Sequence, residues 1–184
     1  PDLPSVGRFE SRIFDPEKYK TEYPNPAFFN RLPDDTFWGA KKVMAFTDEQ
    51  IRAIVRTGEY SDPAAEDWLV KCLIERRNKI GKVYFQKVLS LDRFEVKNGR
   101  LEFEDLAAKY GFAKPQNLSV QWFRFANDTG DKSLISGARS LAIPDADAAY
   151  LAAEIRGEEP KKSVIVYVRR EARGHRVVGI ERFW

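Results

Sequence analysis

The chain has 184 residues, 43% of them hydrophobic and 13% aromatic, enough for a real core in one large domain or two small ones and too apolar for wholesale disorder. Its net charge of +3 is spread evenly, with 15 basic and 14 acidic side chains in residues 1–90 and 16 and 14 in the remainder, whereas a nucleic-acid binder gathers its excess in one region. A single cysteine, Cys72, excludes an internal disulfide, and a single histidine, His175, leaves no set of ligands at zinc spacing.

The opening PDLPSVGRFE has neither the basic start nor the apolar run of a signal peptide, and nothing in the chain approaches the roughly 18 consecutive apolar residues of a membrane span. It begins with Pro1 rather than Met and reads like linker, which predicts a fragment of a longer polypeptide, with a processed protein as the alternative. Residues 1–33 hold Pro16, Pro24, Pro26 and Pro33 too close together for a long helix. They read as an extended arm whose Phe14, Tyr19, Tyr23, Phe28 and Phe29 pack on the helices that follow. Docking of this arm to another protein as a polyproline helix is the alternative.

Residues 34–90 read as a helical cluster. DDTFWGAKKVMAF offers Asp34 and Asp35 as caps and Phe37, Ala40 and Met44 at helical spacing, with Trp38 widening the apolar face. TDEQIRAIVRTG supplies a capping box from Thr47 to Gln50, an Ile51, Ile54, Val55 stripe and Gly58 as a stop. The third helix starts at Asp62 and Pro63 and carries Leu69, Cys72, Leu73, Ile80 and Val83 at the helical period, with Gly81 as a point of kinking.

Within it, LIERRNKIGK brings several cations together. At about 100° per residue, Lys71, Glu75, Asn78 and Lys82 share a wet face of alternating sign, the pattern of a solvated helix rather than of a phosphate-binding stripe. Arg76 breaks it by falling between Leu69 and Ile80 in the apolar arc. A guanidinium held there needs a carboxylate or several carbonyls, so Arg76 is read as one half of a structural ion pair, with anion binding as its alternative.

Residues 91–184 read as a mostly antiparallel β domain, of sheet or β-sandwich-like form. In RFEVKNGRLEF an Asn98-Gly99 turn sets Val96 opposite Leu101 and Phe94 opposite Phe103, with Glu95 facing Glu102. EDLAAKYG is a short helix closed by Gly111, and NLSVQWFRF, AYLAAEIR, SVIVYVRR and HRVVGIERFW are strands, the last two forming a hairpin across EARG. The alanines of AYLAAEIR suit a helix equally. The fold class is therefore α+β.

No catalytic residue, metal ligand or cofactor site emerges. His175 reads as an exposed turn residue, Cys72 as a small core residue, and the acidic loops NDTGD (Asn127, Asp128, Asp131) and PDAD (Asp145, Asp147) as plain turns without the calcium-loop pattern. Trp122, Tyr167 and Trp184, with Phe123 beside them, are the candidate ligand-binding aromatics, as a platform for sugar rings, against the plainer reading that alternation buries them.

The segments YPNPAF, DTFWGAKKVMAFTDEQIRAIVRTGEYSDPAAEDWL and LIERRNKIGK, with the terminal VVGIER, resemble the carboxy-terminal region of large uncharacterised bacterial exported proteins. The part of those proteins that precedes this region resembles an atypical kinase-like fold, of the toxin and spore-coat kinase sort. The resemblance implies that residues 34–90 close a kinase-like carboxy-terminal lobe, that the β part is an appendage, and that the location is exported or in the cell envelope. The nucleotide-binding lysine and the aspartates of such kinases have no counterpart in residues 1–184, so the resemblance implies a non-catalytic accessory module whose first partner is an upstream domain of the same polypeptide, with envelope or carbohydrate contact beyond it. A carbohydrate- or peptide-binding β module, and then a hydrolase with paired carboxylates, are the alternatives. No nucleic-acid partner is expected.

Overall fold

The computed structural model describes residues 3–184, which divide into two compact units, one ending at Phe85 and the other spanning Gln86–Trp184. Five helices and two antiparallel sheets make the described chain an α+β protein. The arm read from the sequence belongs to the helical unit.

In that unit a one-turn helix, α1 (Pro26–Phe29), is capped by Asn25, whose side chain accepts the Ala27 N–H at 3.0 Å. Helix α2 (Pro33–Met44) starts one residue before the expected caps. The fixed φ of Pro33 suits the first helical position, so Asp34 and Asp35 lie in the first turn, where the helix dipole favours them, and Asp35 accepts the Leu32 N–H at 2.8 Å. Helix α3 (Asp48–Arg56) has the capping box between Thr47 and Gln50; Ile51 and Val55 are buried and Ile54 is exposed. Helix α4 (Pro63–Phe85) runs through Gly81 without a break, and both α2 and α3 pack on it. The core between them holds Phe37, Met44, Val55, Val70 and Phe85, the Phe37 and Phe85 rings lying 5.5 Å apart.

The second unit opens with a hairpin of β1 (Leu91–Lys97) and β2 (Arg100–Asp105). Asn98 and Gly99 have φ of 49° and 69°, the double left-handed conformation that a two-residue turn needs. Val96 faces Leu101 and Glu95 faces Glu102 as expected, and Lys97 lies 2.5 Å from Glu95 and 3.8 Å from Glu102, offsetting their repulsion. A bulge at Arg93, whose φ is 55°, interrupts the register before Phe94, yet the Phe94 and Phe103 rings still meet at 5.5 Å. After α5 (Leu106–Lys109) comes a five-stranded sheet of β3 (Ser119–Phe125), β4 (Lys132–Leu134), β5 (Tyr150–Arg156), β6 (Ser163–Glu171) and β7 (Gly174–Phe183), in the order β4-β3-β5-β6-β7.

The segment AYLAAEIR is the central strand β5, where Ala152 and Ala153 are buried on opposite faces. The short edge strand β4 carries no sequence signal: its three residues are all exposed. One face of the sheet presents Trp122, Leu151, Ala153 and Val166 to a core that also contains Leu91 and Leu101 of the hairpin.

Candidate docking groove and the sequence-selected residues

The arm forms no strand, so its backbone carbonyls need hydrogen-bond donors from elsewhere. Side chains of α4 supply the donors. Trp68 Nε1 reaches the Phe9 carbonyl at 2.8 Å, Arg76 Nε and Nη2 reach that of Glu10 at 3.0 and 2.5 Å, and Lys79 Nζ reaches those of Ser11 and Phe14 at 2.7 and 3.0 Å. Tyr84 closes the series on the Pro16 carbonyl at 2.7 Å.

Arg76 is thus a brace, as the helical wheel implies, but its partner is a carbonyl rather than a carboxylate, and its guanidinium also stacks over Phe9 at 3.9 Å and Phe14 at 5.0 Å. The ion pair assigned to Arg76 is corrected on this point: the adjacent arm offers a backbone acceptor and aromatic faces, which satisfy the cation without a second charge. The carboxylate pairing falls one residue on. Arg77, with a side chain only 12% exposed, meets Asp48 at 2.7 Å and donates to the Phe46 carbonyl at 2.7 Å.

The three selected aromatics separate. Trp122 is fully buried, its Nε1 bonded to the Ser140 carbonyl at 2.8 Å. Trp184 is exposed at the chain end. Trp122 and Tyr167 lie one register step apart, Trp122 facing Ala153 and Tyr167 facing Ala152, and side chains one step apart point to opposite faces of a sheet; a platform joining the two is therefore excluded. Tyr167 instead pairs with Phe125, ring centroids 4.7 Å apart, beside a notch of about 230 Å³ that Tyr150 and Asn127 also line. Burial first, and then the Glu181 carboxylate that accepts its hydroxyl at 2.8 Å, push the Tyr167 phenol up to about 12.

His175 lies in β7 rather than in a turn. It is half-buried, with Nε2 sheltered and without a hydrogen-bond partner. Burial, and secondarily the Arg170 charge, lower its pKa. Of the acidic loops, NDTGD is a turn in which the Thr129 hydroxyl donates to Asp131, whereas PDAD is irregular backbone whose Asp145 and Asp147 lie 4.0 and 3.7 Å from Arg170.

What sequence reading missed is on the helical unit. Phe9, Phe14 and Pro16 of the arm engage α4, but Tyr19, Tyr23, Phe28 and Phe29 are 65%, 81%, 51% and 62% exposed, so the expectation that all the arm's aromatics pack on the helices is corrected. Trp38 on α2 is 60% exposed and Leu32 54%. Of these, Tyr19, Phe28, Phe29 and Trp38 line a groove of about 560 Å³, which Thr36, Gly39, Ala40 and Val43 of α2 and Ile80 and Tyr84 of α4 also line. A Cβ at Gly39 would have nothing within 4 Å. The Thr21 hydroxyl, also lining the groove, is sheltered and has no hydrogen-bond partner.

Among the described residues no group of three or more His, Cys, Asp or Glu side chains is placed to hold a metal ion, and no helix is long and apolar enough to cross a membrane. Comparison of the chain with protein-family models, with curated proteins and with solved structures gives no match.

Proposed function

We propose that the chain is a non-catalytic accessory module of a larger bacterial protein, whose helical unit seats its apolar groove on another domain of the same polypeptide. One observation carries this reading: four large apolar side chains from the arm, α1 and α2, those of Tyr19, Phe28, Phe29 and Trp38, stand mostly exposed around one groove. An exposed apolar patch of that kind marks an interaction surface, and its spread beyond the groove itself exceeds what a small ligand covers. The resemblance to the terminal region of exported proteins supplies the partner, a preceding domain. The test is amide hydrogen exchange of α1 and α2 in the 184-residue chain and in a longer polypeptide that contains it. Protection of both helices should rise in the longer polypeptide; equal exchange in the two overturns the reading.

A second reading, carbohydrate binding by the β unit, has the Phe125, Tyr150 and Tyr167 notch behind it, where an aromatic pair adjoins the Asn127 side-chain amide. Titration with neutral monosaccharides, observed on the Tyr167 and Phe125 ring resonances, decides it; unmoved resonances at saturating sugar dismiss it.

A further inference from the structure

We propose that the groove of the helical unit receives an amphipathic α-helix carrying acidic side chains beside its apolar stripe, an inference that rests on the reading of this face as a seat for another domain. Its floor is a helix surface made of small residues. Thr36, Gly39 or Ala40, and Val43 recur once per turn along α2, whose 12 residues span about 18 Å at ~1.5 Å per residue. Glycine inside a helix costs about 1 kcal/mol relative to alanine, and no atom of this chain requires one at position 39, since an added Cβ would meet open space. The missing Cβ leaves room for close approach by a body outside this chain.

The form of the occupant follows from backbone accounting. The groove's floor is α2, whose mid-helix N–H and C=O groups are bonded within the helix, and the arm carbonyls of Phe14 and Pro16 at its edge are taken by Lys79 and Tyr84. An extended strand would bring unpaired backbone groups into this apolar setting. A helix satisfies its own backbone and offers only side chains, the helix-in-groove mode of recognition.

The charge of the rim sets the polarity of the occupant. Lys20 and Arg31 line the groove and outnumber its lining carboxylate, that of Asp35, and Lys42 adds a third cation over the Trp38 ring at 5.2 Å. Carboxylates flanking an apolar stripe complement that rim.

The experiment uses the 184-residue chain as target for a displayed library of randomised peptides of about 16 residues, ~24 Å as helices, with the Gly39→Phe variant as counter-target. The open space at Gly39 lets that variant fold, as an unchanged circular dichroism spectrum would verify. Enriched peptides should carry apolar residues at i, i+3, i+4 and i+7 with flanking Asp or Glu, become helical on binding, and bind Gly39→Phe at least about tenfold more weakly. The Lys20→Glu, Arg31→Glu double variant should weaken the acidic peptides by about tenfold and do so less at high salt. Failure to enrich any peptide, enrichment of basic or proline-rich extended sequences, or binding indifferent to Gly39→Phe each overturns the proposal. So does dimerisation of the chain through this face. If exchange shows α1 and α2 protected in the longer polypeptide while the selection fails, only the acidic-helix inference falls; if neither result appears, the docking reading falls with it.

Discussion

Removing the Arg182 side chain should cripple the β unit. Arg182 and Asp92 are 6% and 8% exposed and meet at 3.1 Å, and the same guanidinium donates to the Leu91 carbonyl at 2.7 Å and the Leu89 carbonyl at 3.2 Å. It therefore ties the last strand to the start of the hairpin. Arg182→Ala leaves a sheltered carboxylate without this guanidinium and takes the donor from two carbonyls. Breaking a buried pair from one side costs about 3 to 5 kcal/mol. Arg156→Ala on the same sheet is the control: its pair with Glu154 is close, at 2.7 Å, but Arg156 is 52% exposed, and such pairs contribute no more than about 1 kcal/mol. The assay is native-state amide exchange on β6, the strand between β5 and β7, whose slowest amides open only with the whole unit. At tenfold per ~1.4 kcal/mol, Arg182→Ala should speed those amides by about two to three and a half decades. The double variant Arg182→Met, Asp92→Leu should recover part of the loss, because no carboxylate is then buried. An acceleration below about tenfold, or one equal to that of Arg156→Ala, refutes the assignment.

Arg76→Ala should lower the stability of the helical unit by about 1.5 to 3 kcal/mol, the range for a charged hydrogen bond to a carbonyl. Arg76→Lys should restore only part, because it loses the planar fork and the ring stacking. Lys71, exposed on α4, should change stability by less than about 0.5 kcal/mol when replaced by alanine; equal urea midpoints for the Arg76→Ala and Lys71→Ala variants would sink the brace. Tyr167 gives the β unit a pH limit. Its folded pKa, about 12, lies above the ordinary 10.0, so the native state holds the proton longer, and its contribution is complete below pH 10 and lost as pH climbs towards 12. Urea midpoints measured from neutral pH upward should fall across that window and fall less for Tyr167→Phe; identical alkaline profiles would show that the phenol is not coupled to folding.

Local signals were legible wherever the chain satisfies itself nearby. The Asn98-Gly99 turn, the Thr47 and Gln50 box and the Gly111 stop, with φ of 70°, all close within a few residues. Two features that need distant partners were not legible, for identifiable reasons. A helical wheel assumes one buried side, whereas α4 is contacted by α2 and α3 and also by the arm, so Trp68, Cys72, Arg76 and Lys79 form a second covered face. Strict alternation in β7, started from the inward Val177, would turn Arg182 outward. The bulge between Tyr167 and Val168 pairings adds Val178 to that strand and reverses the parity beyond it, so Ile180 faces Val166 and Arg182 faces Val164. The groove was illegible for a different reason: periodicity shows that Trp38 and Phe29 are apolar, but not whether this chain covers them.

The two units differ in how they use their apolar residues, and that difference gives the docking reading its physical basis. Among the described residues the β unit buries seventeen hydrophobic side chains and the helical unit nine, although the two are of similar length. The helical unit is not short of apolar material; it displays it, in Tyr23, Phe29, Trp38 and Ile54 among others. A small domain gains stability mainly from the surface it removes from water, at about 25 cal/mol per Å². A unit that leaves its aromatics outside while long cationic side chains fasten an irregular arm has apolar surface that a docked partner could cover. Docking would cover those side chains from outside, and Arg76 and Lys79 of α4, by holding the Glu10, Ser11 and Phe14 carbonyls, fix the arm that forms part of the groove's wall.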